Sequence, residues 1–127
     1  MALQTYLAVA AGGAVGAMGR FAVGGVSLRL MGPGFPWGTL AVNVLGAFLI
    51  GTVTMLLAQR FQASHILQAG LVTGVLGGFT TFSAFSLEAA LMVERHQWGL
   101  AAGYAMASVV LCVAAVFAGM ALVRTVL

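Results

Sequence analysis

The chain has 127 residues, 62% of them hydrophobic and 6% charged, with mean hydropathy +1.13 and formal charge +3. A soluble domain carries roughly 25% charged residues, so this chain cannot clothe a globule in polar surface, and the bilayer is the solvent its composition calls for. Its basic residues are all arginine, scattered singly as Arg20, Arg29, Arg60, Arg95 and Arg124, which excludes a nucleic-acid binder, whose cations cluster on one wet face.

The first apolar segment runs from Tyr6 to Leu30. No Lys or Arg precedes Arg20, whereas a cleavable signal peptide opens on a positive region, so the segment is expected to remain as a span. Arg20 is costly at mid-bilayer. It either snorkels to an interface or faces a water-filled vestibule, where it would concentrate anions. Met31-Gly32-Pro33-Gly34-Phe35-Pro36 reads as a turn, and Trp37 opens the second segment, Trp37 to Ala58, where an indole favours the interface. Thr39 and Asn43 are four apart and share a helix face. From spacing alone Asn43 makes an interhelical hydrogen bond; the alternative is an amide donor aimed at a passing anion.

Gln59 to His65 is polar, with Ser64 placed to cap the next helix. The third segment, Ile66 to Val93, is the unusual one. Gly74-Val75-Leu76-Gly77-Gly78-Phe79-Thr80-Thr81 sets three glycines and two threonines within it, and both residue types weaken a helix. A break or kink is expected near Gly77 to Thr80, tolerated only inside protein or along a cavity. Freed carbonyls there can hold a cation, and freed amides an anion. Phe82 and Phe85 share a face. Such a pair reads as core, although ring edges are electropositive and can meet an anion. Glu88, three residues on, is either a functional intramembrane carboxylate or an interfacial partner for an arginine. After Glu94-Arg95-His96-Gln97, the fourth segment runs from Trp98 to Val123. Tyr104, Ser108 and Cys112 form one weakly polar stripe on it, equally suited to packing and to an anion path.

Four spans with short connections use nearly the whole length, so residues 1–127 are expected to form a single all-α membrane domain. Both termini then lie on one side with Arg60 and Arg124, and Arg29 and Arg95 lie on the other. Two against two leaves the positive-inside rule almost no bias, which points to insertion in both orientations and permits an antiparallel homodimer. Glycine is 18 of 127 residues, about twice its usual roughly 7%. Its spacing of four at Gly12 and Gly16, at Gly70, Gly74 and Gly78, and at Gly99 and Gly103 predicts close helix–helix approach. His65 and His96 sit in different loops, no metal-ligand cluster can be assembled from His and Cys, and no nucleophile–base set exists, so an enzyme is not expected.

The run Gly38-Thr39-Leu40-Ala41-Val42-Asn43-Val44-Leu45-Gly46, followed by Gly77-Gly78-Phe79-Thr80-Thr81-Phe82-Ser83-Ala84-Phe85, resembles the Fluc (CrcB) family of fluoride channels, and the resemblance extends along the chain. It implies an antiparallel dual-topology dimer with two pores in the inner membrane of a microbial cell, passively exporting fluoride and so protecting against its toxicity. It implies Asn43 as the pore asparagine, Phe82 and Phe85 as a pair of rings whose edges face the ion, and Ser83 as a hydroxyl near the path. Gly77 and Thr80 would give backbone carbonyls to a structural sodium ion at the dimer interface. Arg20 would be the vestibule arginine, Thr39 and Glu88 polar positions near one pore end, and Tyr104 and Ser108 a polar track. Ala84 stands where the family motif has a second threonine, and Cys112 and Val116 stand where the track continues with Ser and Thr.

Two other readings compete. A small proton-coupled multidrug exporter shares the architecture but relies on a carboxylate in the first span, where this chain has Arg20 and no acid. A non-transporting membrane scaffold would make the polar stripe and the third span structural only.

Overall fold

The computed structural model describes residues 2–127, with the backbone alone for Arg60 and Phe61; headgroup anchoring by Arg60 therefore lies outside the described side chains. Among the described residues every regular element is helical. Helix α1 is Leu3–Met31, α2 is Trp37–Leu56, α3 is His65–Gln68, α4 is Gly77–Phe79, α5 is Phe82–Glu94 and α6 is Trp98–Val126. Four segments are long and apolar enough to cross a membrane: Leu3–Met31, Trp37–Gln59, His65–Glu94 and Trp98–Val126. Each contains the corresponding apolar segment of the sequence and exceeds it by at most a turn.

The ends of these helices follow local chemistry. Gly32 adopts φ +75 and returns its amide to Leu28 O at 2.9 Å, a conformation that costs a glycine little because it has no Cβ. Ser64 caps α3 by accepting from the Leu67 amide at 3.2 Å. Thr81 does the same for α5, accepting from the Ala84 amide at 3.1 Å. Two stretches wind as π-helix, Leu57–Phe61 and Ala69–Leu76. Nothing in their residue types announces this winding.

Thr80 and Thr81 are extended (φ/ψ −92/159 and −154/121), between α4 and α5. The interruption redirects the chain. The π-helical stretch and α4 lie against α1, whereas α5 packs against α6, and α2 runs between, against both α1 and α6. Contact along α1 is made by glycine. A Cβ on Gly12 would strike Gly70 O and come within 2.9 Å of Val75 N. On Gly16 it would strike Val75 O, and on Gly78 it would lie 2.7 Å from Gly13 O. Gly51 and Gly119 give the same backbone-to-backbone seating between α2 and α6, against Val116 O and Phe48 O. Membrane helices lack a hydrophobic drive to associate and gain instead from such close approach. Gly99 and Gly103 differ: among the described residues nothing beyond their own helix and chain neighbours lies within 4 Å of a Cβ on either, so their spacing marks no contact there.

A buried apolar cluster sits where α5 meets α6. Met92, Ala101 and Tyr104 are buried there, with Phe35, Leu40, Phe85, Ala89 and Val93 packed around them. Large apolar side chains elsewhere face outward, Phe21 being 84% exposed and Phe117 63%, as expected of a surface solvated by lipid.

Candidate functional site

The site is built around the two extended residues of the third span. Asn43, on α2, devotes both ends of its amide to Thr81: Nδ2 donates to Thr81 O at 2.9 Å, and the Thr81 amide donates to Asn43 Oδ1 at 2.8 Å. The interhelical role expected from spacing is what the geometry provides, since a backbone freed from helix must find partners in a water-poor interior. One Nδ2 hydrogen remains beyond these bonds, and Asn43 also lines a groove described below.

The same exchange alters two carbonyls. In an unbroken α-helix the Thr81 amide would serve Gly77 O and the Ala84 amide would serve Thr80 O. Here those amides go to Asn43 Oδ1 and Thr81 Oγ1. Gly77 and Thr80, which line the groove, thereby have their regular helical donors diverted. Neutral backbone oxygens released at a helix break are the donor set that sodium takes in membrane proteins, so these two residues fit such an ion. Thr80 is itself held by its side chain, Oγ1 donating to Leu76 O at 2.8 Å.

A second polar cluster lies beyond Phe85. Glu88 accepts from Thr39 Oγ1 at 2.8 Å and from Tyr104 OH at 2.9 Å, one hydroxyl on each carboxylate oxygen. Three helices are tied in this way, α2, α5 and α6, with hydroxyls in the place where an arginine was the alternative. Tyr104 is 1% exposed. Its ring meets Phe85 at 5.0 Å between centroids and Phe35 edge-on at 5.2 Å. A cavity of about 290 Å³ opens on this cluster, with Thr39, Glu88, Phe35, Ser27, Arg95 and Gln97 among its walls. In the sequence Phe35 figures only as part of a Gly/Pro turn and Arg95 only in a loop and in the charge count, not as site residues; an aromatic inside such a turn was the available signal.

Between α2, α5 and α6 runs an open groove of about 420 Å³, walled by Asn43, Thr80, Thr81, Phe82, Phe85, Ser108 and Cys112 together with apolar neighbours. The Phe82 and Phe85 rings are 5.4 Å apart and tilted by 46°. Only Phe85 belongs to the core; Phe82 is 76% exposed, which corrects the reading of the pair as core. Ser108 is buried, and among the described residues its Oγ has no hydrogen-bond partner. Ser83 is exposed, with its hydroxyl 3.3 Å from Thr81 Oγ1. Arg20 donates from Nε to Gly78 O at 3.1 Å and lines a further cavity of about 390 Å³ with Thr39 and Thr81. It is half-buried, with one bond tying α1 to the residue after Gly77.

The expected residues thus fall into three neighbouring sets: Arg20, Gly77, Thr80, Asn43 and Ser83 at the extended pair; Phe82, Phe85 and Ser108 on the groove; and Thr39, Glu88 and Tyr104 at the carboxylate. Thr39 lines both of these cavities, and Thr81 lines the Arg20 cavity and the groove. Beside its apolar residues the groove is lined by an asparagine, hydroxyl-bearing residues, a cysteine and two phenylalanines, none of them ionic.

Four apolar spans, three of which wall this uncharged groove, define a multi-pass membrane protein. Residues 7–120 match the family described as CrcB-like protein, Camphor Resistance (CrcB). The fluoride-specific ion channel FluC of Agrobacterium fabrum is 59% identical over 91% of this chain and 93% of its own length. Its namesake in Rhizobium leguminosarum bv. trifolii is 57% identical over 93% and 94%, and that of Caulobacter vibrioides 52% identical over 98% of both. The chain belongs to the CrcB family.

Proposed function

We propose that this chain is a fluoride-selective channel, not an enzyme, that lets fluoride leave the cell passively and so relieves its toxicity. The observation that carries the reading is the groove. Its donors are neutral, they come from α2, α5 and α6, and they include Asn43, Phe82, Phe85 and Ser108. Relatives named as fluoride-specific channels over nearly their whole length support it. Fluoride is small and strongly hydrated, so a narrow dry path must replace its water. Amide and hydroxyl hydrogens with ring edges do this, and because they carry no net charge they also release the ion.

In this reading residues 1–127 form one domain in the inner membrane, and the working unit is an antiparallel homodimer of dual topology. The even split of arginines supports that, as does the exposure of Phe82 and Gly77 on an open groove, which a second copy would roof. The extended pair Thr80–Thr81 lies at mid-membrane, and Gly77 and Thr80 carbonyls of both copies hold a structural sodium ion. Asn43 uses its remaining hydrogen on fluoride while its other bonds fix the Thr81 backbone. Ser108 Oγ and Ser83 Oγ donate along the path. Thr39, Glu88 and Tyr104 close one end, and Arg20 gathers anions at a vestibule. The absence of an acid in the first span disfavours a proton-coupled exporter.

The test is efflux from liposomes loaded with potassium fluoride or chloride, followed with ion-selective electrodes. Rapid fluoride loss without a proton gradient, alongside chloride retention, is the expected result. Loss that needs a proton gradient and vanishes in Glu88→Gln would replace the channel with a fluoride/proton exchanger, and no loss above empty vesicles would leave only the scaffold.

A further inference from the structure

The break in the third span is held from two sides. Asn43 on α2 serves the Thr81 backbone, and Arg20 on α1 donates from Nε to Gly78 O at 3.1 Å. The seat that brings Arg20 there is built of glycine. Gly12, Gly16 and Arg20 are spaced by four and share one face of α1. A Cβ on Gly16 would strike Val75 O and lie 2.8 Å from Phe79 N, and one on Gly78 would lie 2.7 Å from Gly13 O and 3.2 Å from Ala17 N. Backbone lies on backbone along this row, and the row continues with the one side chain that bonds across. In an unbroken helix Gly78 O would accept from the Phe82 amide. Thr80 and Thr81 are extended between them, so the register that brings those two groups together is interrupted. A carbonyl at the end of a helix carries partial negative charge, and a charged N–H donor suits it.

We propose that Arg20 is a positioning residue: its Nε–H caps the third span's first helical half at Gly78 and so keeps Thr80 and Thr81 extended. The proposal rests on the channel reading above and gives Arg20 a task that its charge alone does not perform. Without the bond, Gly78 O is left unpaired in a water-poor interior, and the nearest remedy is its helical donor, the Phe82 amide. Recovering that donor requires Thr80 and Thr81 to turn helical. The Gly77 and Thr80 carbonyls would then regain the Thr81 and Ala84 amides, and Asn43 would lose its bonds to Thr81. Arg20 is not among the residues that line the groove; Thr80 and Thr81 are, and it acts on the groove through their backbone. The side chain itself supplies the means of testing this. In arginine Nε follows Cβ, Cγ and Cδ. Glutamine carries Nε2–H after the same carbons, without the charge. Lysine keeps the charge but puts a methylene where the donor stands, and methionine has the length with neither donor nor charge.

The experiment uses the full chain in liposomes loaded with potassium fluoride, in about 1 M salt of an impermeant anion, where charges are screened beyond about 3 Å. Arg20→Gln should keep fluoride efflux within about threefold of wild type, since the neutral bond in its place is roughly half as strong. Arg20→Met and Arg20→Lys should each lose about tenfold or more, the order by which a hydrogen bond to a charged group holds an equilibrium. Carbon-13 shifts of Thr80 and Thr81 in micelles should be those of extended backbone in wild type and Arg20→Gln, and should move toward helical values in Arg20→Met. A loss of stability alone would not produce that pattern. Efflux kept in Arg20→Lys and lost in Arg20→Gln would overturn the proposal in favour of charge. Equal efflux in all variants would overturn it too, as would extended threonine shifts in Arg20→Met. If Arg20→Met does not fold, the glutamine and lysine variants decide between bond and charge. Wild-type vesicles that hold their fluoride would defeat the channel reading instead, and the threonine shifts, which need no flux, would then judge the bond by themselves.

Discussion

Asn43→Ala should both loosen the fold and stop conduction, and the size of the first effect follows from the bonds at Thr81. The substitution removes the bonds from Nδ2 to Thr81 O and from the Thr81 amide to Oδ1. An interhelical hydrogen bond in a membrane protein contributes about 1 kcal/mol. Leaving a buried backbone group unpaired costs about 1–3 kcal/mol. Water entering from the open groove relieves part of that second cost, so a net loss of about 3 kcal/mol is expected, which at about 1.4 kcal/mol per tenfold is roughly a hundredfold in the unfolding constant. The Thr81 amide would also be free to turn back toward Gly77 O, removing one of the two exposed carbonyls. Reversible unfolding in mixed micelles measures the first effect and fluoride efflux from liposomes the second. A variant within about 0.5 kcal/mol of wild type, the range of an inconsequential surface change, and conducting normally would refute the role given to Asn43.

Four further outcomes are expected. Phe82→Ile should cut fluoride efflux while the chain unfolds as wild type does, because the ring is 76% exposed; Phe85→Ile should cut efflux and also destabilise by about 1–3 kcal/mol, since it abandons the Tyr104 ring at 5.0 Å, and unfolding measured beside flux separates the two. Tyr104→Phe removes the Tyr104 hydrogen bond to Glu88 and leaves that of Thr39, and should cost about 1–3 kcal/mol, the cost of leaving a buried polar group unpaired, read in the same micelle titration. Gly12→Ala should be destabilised by about 1–3 kcal/mol because its new Cβ meets only backbone, whereas Gly103→Ala, with open space around it, should leave the unfolding of the isolated chain unchanged. Replacing sodium with a large organic cation throughout purification should lower the yield of dimer and the efflux rate together, measured by size-exclusion chromatography and electrode, if Gly77 and Thr80 hold the ion.

How far the residues announced this arrangement differs from element to element. Span limits were readable to within a turn, because apolar runs of this length have one solvent, and the turn at Gly32 and the cap at Ser64 follow from local chemistry alone. The π-helical winding of Ala69–Leu76 was not readable. It is a choice of hydrogen-bond register in a stretch whose Gly70 and Gly74 lie against α1, and residue types alone do not set that register. Spacing pointed correctly to Gly12, Gly16, Gly70, Gly74 and Gly78 but gave no sign that Gly99 and Gly103 differ from them. Asn43 was legible as a hydrogen-bonding residue, but not its partner, because Thr81 becomes a partner only once its backbone is extended. Glu88 illustrates the limit from the other side: its two hydroxyl donors come from residues 49 and 16 positions away, and a one-dimensional pattern had no means to choose them over an arginine.

The most direct test of an uncharged groove that carries fluoride is the reversal potential across a planar bilayer holding the wild-type protein, with potassium fluoride on one side and potassium chloride on the other. Current that reverses near the limit set by fluoride alone, and stays there when pH differs between the two sides, is the result expected of neutral donors that replace water around the smallest halide. A reversal at the potassium or chloride limit, or one that follows the proton gradient, would contradict it.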